Sequence, residues 1–168
     1  MTTPIWALAL AYWSHMLATV LWIGGLVVLA LLVLPAAHKA LESEAYSQLL
    51  AGIQQRLDPL GWFCIALLLA SGMFQMSASP HYSGFLAIES LWAWAILAKH
   101  LLFGIMVIAS GVETWGVLPA LRREALRSAR GGETSGLDKR QRQSVRLMQV
   151  NLILATVVLL LTAIARSA

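Results

Sequence analysis

Apolar residues run almost unbroken over four stretches, from about Pro4 to Leu34, Leu60 to Met76, Leu86 to Leu118 and Leu147 to Ile164, with polar segments between them. Each stretch reaches the roughly 17 to 25 residues that carry a helix across a bilayer. Within lipid every backbone N–H and C=O must find its partner in the chain, so each stretch is predicted to be helical. The pattern therefore predicts an all-α integral membrane four-helix bundle, one membrane domain over residues 1–168, with no room for a second globular unit. Stretches one and three are longer than a bilayer needs, which predicts tilt. The first lacks the basic leader of a signal peptide and is about twice as long as its apolar core, so it is expected to remain as a span.

Composition agrees with this pattern. Hydrophobic residues make up 59% of the chain and charged ones only 12%, against about a quarter charged in an ordinary soluble domain. A net charge of +4 raises the thought of nucleic acid, but the positions of the charges argue for topology instead. Arg122, Arg123, Arg127, Arg130, Lys139, Arg140, Arg142 and Arg146 fall in the connection 119–146, Lys39 and Arg56 fall in the first connection, and Ser77 to Ile88 carries no charge. By the positive-inside rule the two basic connections are cytoplasmic and both termini lie on the external side. No nucleic-acid partner is expected; membrane lipid is, with the basic loop anchoring the inner leaflet. That loop is predicted to break at Gly131–Gly132, and the stretch HKALESEAYSQLLAGIQQRLDPLGW reads as an amphipathic segment lying at the cytoplasmic interface. Cys64 is the single cysteine, so there is no disulfide framework and no CxxC motif.

The residues LAKHLLF, 97 to 103, place Lys99 and His100 within the third stretch, where a central lysine costs about 2.5–3.5 kcal/mol even on lenient scales. Helical rise puts His15 and Lys99 at a common level, about 15–16 Å inside the external surface. Glu89 and Glu113 lie about 15 and 21 Å along the same helix from Lys99, too far for an ion pair. Three readings stay open: a neutral amine, a cation held by carbonyls and water, or a partner for an anion that the protein does not supply. The last suits haem b, which brings two carboxylates and an iron that takes imidazole. His15, with Trp22 and small residues on its face, is then the expected iron ligand. His100, with Gly104 one turn on, or Lys99 serves as second ligand or propionate partner. Lys99 and His15 are also the candidate catalytic residues should the chain be a haem-dependent oxidoreductase.

Two weaker groupings remain. Lys99, Met106 and Glu113 recur at seven-residue intervals on one helical face, and Glu113 with Asn151 forms a polar set near the inner side. A glutamate near a helix end is expected to snorkel outward rather than serve a proton path. Met73, Met76 and His81 offer thioether and imidazole donors suited to copper(I), making them candidate metal ligands beside His15 and His100. No GxGxxG, phosphate loop, HExxH or nucleophile elbow occurs.

The segments HMLATVLWIGGLVVLALLVLP, QQRLDPLGWFCIALLLASGMF, WAWAILAKHLLFGIMV with VLPALRR, and NLILATVVLLLTAIAR resemble CopD-type copper-resistance membrane domains, and more distantly HemJ-type protoporphyrinogen oxidases. The HemJ likeness implies haem b, an essential first-span histidine at His15, a lysine at Lys99 and a basic position at Arg56. The chain has LVVLALLVLPAAH and VNLILA where HemJ proteins carry LPRLFVYH-like and NExP-like elements, which places it nearer the CopD side. That likeness implies copper import or tolerance in the bacterial inner (plasma) membrane, with a periplasmic copper-binding protein or an electron-transfer partner. A homo-oligomer is compatible with either family. The expected function is redox or copper handling, with protoporphyrinogen IX oxidation and haem-free copper import as alternatives.

Overall fold

The structure is a computed structural model that describes residues 4–80, 84, 90–128 and 135–167. Among the described residues four helices are long and apolar enough to cross a membrane: Ile5–Ala40, Glu44–Ser77, Leu91–Arg127 and Gly136–Ser167. Among the described residues there is no strand. All four extend beyond the apolar stretches that announced them. The second is the clearest case, because the segment expected to lie flat at the interface continues without interruption through Pro59 into the span. Its apolar positions Tyr46 and Leu50 are buried against the other helices instead of lipid headgroups. The break expected at Gly131–Gly132 lies outside the described residues.

Local chemistry sets the helix ends. Leu41 is extended, with φ −121° and ψ 145°, and stops the first helix; Glu42, also extended, opens the second. Ser90 starts the third, its hydroxyl accepting the Ala93 amide at 3.2 Å, as an N-cap serine does. Widened π turns interrupt the first helix at Val28–Val33 and the third at Val112–Val117. Both lie immediately before a Val-Leu-Pro-Ala sequence, at Val33–Ala36 and Val117–Ala120. A proline removes one amide from the helical ladder and crowds the carbonyl four residues back, and a π turn there makes room for the ring.

Successive helices run antiparallel, the first packed chiefly on the second and the third on the fourth. One half of the bundle carries the termini and the other carries the basic connections. In the basic half, Leu29, Leu34, Tyr46, Leu50, Leu121, Leu137 and Met148 form one apolar cluster. At mid-bundle, Ala18, Trp22, Cys64, Ile65, Leu68, Met106 and Ala155 form a second. There the Trp22 ring meets Phe103 edge-on, with centroids 5.8 Å apart, and ties the first helix to the third. Trp6, Trp13, Val20, Leu101, Ile108 and Ile153 point outward, as lipid-facing residues of a bundle do. Lipid gives no hydrophobic drive to helix association, so the small buried stripe needs polar contacts beside its van der Waals packing. The two groups of polar contacts that follow supply them.

Candidate functional site

His15 is held across two helices in the terminal half. Its Nδ1 lies 2.8 Å from the Ser71 hydroxyl of the second helix. That hydroxyl spends its own proton on the Leu67 carbonyl at 2.5 Å, so its oxygen receives the Nδ1–H. The proton is thereby fixed on Nδ1, and Nε2 carries the lone pair that a metal would use. Gly72 makes the approach feasible: a Cβ there would sit 3.2 Å from His15 Cε1. Two more contacts secure the level, Thr19 Oγ1 donating to the His15 carbonyl at 2.7 Å and Gln75 Nε2 donating to the Ala11 carbonyl at 3.0 Å.

Lys99 and His100 come close enough to His15 to act on it electrostatically, so the common level argued from helical rise is matched by proximity. Both are half-buried. His100 Nδ1 lies 2.7 Å from the Ile96 carbonyl one turn back and donates to it. Lys99 makes no hydrogen bond or salt bridge among the described residues. Trp22 lies two turns further along the first helix than His15. It is buried beneath this cluster, against Phe103. Gly104 has open space where a side chain would be.

The methionine set is divided by its surroundings. Met76 is buried while Met73 is 42% exposed, and His81 lies outside the described residues. No three His, Cys, Asp or Glu side chains converge as a metal cluster among the described residues. Arg56 is exposed on the basic half, remote from His15 in the chain's course.

A second polar group occupies the basic half, and here an expectation is corrected. Glu113 does not snorkel outward: it is 8% exposed, turned into the bundle by the π turn that contains it. Its Oε1 accepts from Gln54 Nε2 at 2.7 Å and from Ser144 Oγ at 2.7 Å, joining the second, third and fourth helices. Asn151 Nδ2 donates to Ser110 Oγ at 3.1 Å. A cavity of about 90 Å³ lies alongside, bounded by Glu113, Asn151, Gln54, Asp58, Ser110 and Trp22 among others. Ser71, Gly72, Gln54 and Ser144 all escaped the sequence reading. The available signal was SG within LLLASGMF and a glutamine in AGIQQRL, small and polar residues at heights that match His15 and Glu113 on antiparallel neighbours.

Residues 51–165 match the copper resistance protein D family, more than half of the chain. The chain belongs to that family. No curated protein and no solved structure matches it. With four membrane-length helices, this family member is a multi-pass membrane protein. Ser71, Lys99, His100, Glu113 and Asn151 fall inside the matched region, whereas His15 lies in the first helix before it.

Proposed function

We propose that this copper resistance protein D family member handles copper(I) from the external half of a bacterial inner membrane, with His15 as the imidazole that meets the metal. The observation that supports the reading is the Ser71 relay: Nδ1 is engaged at 2.8 Å by a hydroxyl already donating elsewhere. Metal-binding histidines are typically oriented in this way by a partner on the other ring nitrogen, which also sets ligand basicity. His100 brings a second imidazole to the same level, and imidazole suits copper. Copper is the cargo here, taken up or passed on with a periplasmic copper-binding protein as its partner. Copper(I) competition titration of detergent-purified protein tests this. One equivalent bound by the wild type and lost in His15→Ala supports it; equal binding by both sinks it.

Lys99 favours a second reading. A cation beside a copper ion is repelled, whereas a cation without a protein acid among the described residues suits the propionates of haem b. The residues fit such a group in kind: His15 Nε2 would be an iron ligand, Lys99 or His100 a propionate partner or second ligand, and open space lies at Gly104. Haem would supply one-electron redox chemistry, while the chain orients the imidazole and screens the site below with Trp22 and Phe103. A Soret band with sharp reduced α and β bands separates this reading from colourless copper binding. Rescue of a strain lacking protoporphyrinogen oxidase, abolished by His15→Ala, would extend it to that enzyme activity.

A further inference from the structure

The basic-half cavity includes none of His15, Ser71, Lys99 and His100 in its walls. Its walls are unbalanced. Gln54 and Asn151 are 3% and 1% exposed, and each spends its amide protons on neighbours, Gln54 on Glu113 and Asn151 on Ser110. Their carbonyl oxygens, Gln54 Oε1 and Asn151 Oδ1, have no hydrogen-bond partner among the described residues. Both residues line the cavity. Leaving a buried acceptor without a donor costs about 1–3 kcal/mol, and nearly all such groups in folded proteins are satisfied by something. The cavity, at about 90 Å³, has space for several water-sized particles.

Water alone could satisfy two amide oxygens, but the same walls carry two carboxyl groups. Glu113 and Asp58 both line the cavity and act on each other electrostatically. Two carboxylates sharing a low-dielectric site repel unless one takes up a proton or positive charge comes between them. Arg122 acts on Asp58, yet it is exposed and does not line the cavity. Oxygens from two carboxyls, two carboxamides and the hydroxyls of Ser110 and Thr114 outnumber the two sulfurs in the wall, those of Cys64 and Met148. Carboxylate, carbonyl and water oxygen are the preferences of hard cations, not of copper(I). The π turn at Val112–Val117 adds an independent mark, since it places Glu113 and Thr114 in the wall and single π turns recur at functional sites.

We propose that this cavity binds a small hard cation, with part of its water shell, through Glu113 and Asp58, with the orphaned carboxamide oxygens of Gln54 and Asn151 completing the coordination. The indoles of Trp22 and Trp62 line the same space and report its occupancy. The experiment titrates Na+ into detergent-purified full-length protein held in choline at constant ionic strength, following tryptophan emission and the thermal midpoint. Ca2+ is titrated separately. A saturable change with either ion, absent with choline, supports the site. Loss of one ligand oxygen in Asn151→Leu then weakens binding by about tenfold or more, and Glu113→Gln abolishes it. Asn151→Asp retains the oxygen, adds charge and must bind at least as tightly, which covers the case in which Asn151→Leu fails to fold. Emission and midpoint indifferent to both ions, a response that choline reproduces, or an Asn151→Asp variant that loses binding would overturn the proposal and leave the cavity to water.

Discussion

Nδ1 of His15 and the hydroxyl of Ser71, 56 residues apart in sequence, lie within 2.8 Å across the contact between the first two helices. Because the serine proton is committed to Leu67, the pair decides which imidazole nitrogen is basic. Ser71→Ala removes that decision with little change in volume. Metal affinity at His15 is expected to fall about 10–100-fold, the usual cost of losing an outer partner, while helical content by circular dichroism stays at wild type. An unchanged copper(I) competition curve would show that the serine plays no part.

Gly72 offers a steric version of the same test. Its missing Cβ leaves the space that His15 Cε1 occupies, at 3.2 Å. Gly72→Val pushes the ring away from Ser71 without touching either hydrogen-bonding group. The expected outcome is a loss of metal affinity comparable to that of Ser71→Ala, with the double variant no worse than the single ones, since both break one orienting contact. Additive losses would mean that the two residues act through different routes.

In the basic half, Glu113 depends on donors from two other helices. Gln54→Leu takes away one of them and leaves a buried carboxyl less well satisfied, at a cost of about 1–3 kcal/mol. The thermal midpoint in detergent should drop, and Ser144→Ala should drop it by a similar or smaller step. A double-mutant cycle between Gln54 and Ser144 is expected to show coupling, because both donate to the same Oε1. Strict additivity would contradict the shared acceptor.

Orientation can be read with cysteines at the two ends. Leu41 at the first turn and Ser79 beyond the second helix lie at opposite ends of one helical crossing. In right-side-out cells, Ser79→Cys should react with an impermeant maleimide and Leu41→Cys should react only after permeabilisation, as the basic connections demand. Cys64 is 1% exposed and should give no background. The reverse labelling pattern would invert the topology.

The sequence made the bundle legible because lipid simplifies the problem. Twenty apolar residues in a row have one structural outcome, and the placing of Arg122 to Arg146 indicates which way they run. The level shared by His15 and Lys99 followed from helical rise alone. What stayed hidden were contacts between helices, which no spacing rule along one helix encodes. Ser71 looks like any small residue in an apolar run until its antiparallel neighbour is known. Glu113 was misjudged for a related reason. Its distance from the helix end suggested escape to the surface, but the π turn before Pro119 rotates it inward towards Gln54 and Ser144. The interfacial segment was misjudged because apolar spacing along one helix does not tell a lipid surface from a neighbouring helix, and here the helix runs on through Pro59 into the span.

Trp22 and Phe103 meet edge to plane at mid-bundle, above Met106 and Cys64. The same indole also forms part of the wall of the cavity beside Glu113. Any shift of that indole is therefore felt in two places, the tie between the first and third helices and the space beside Glu113.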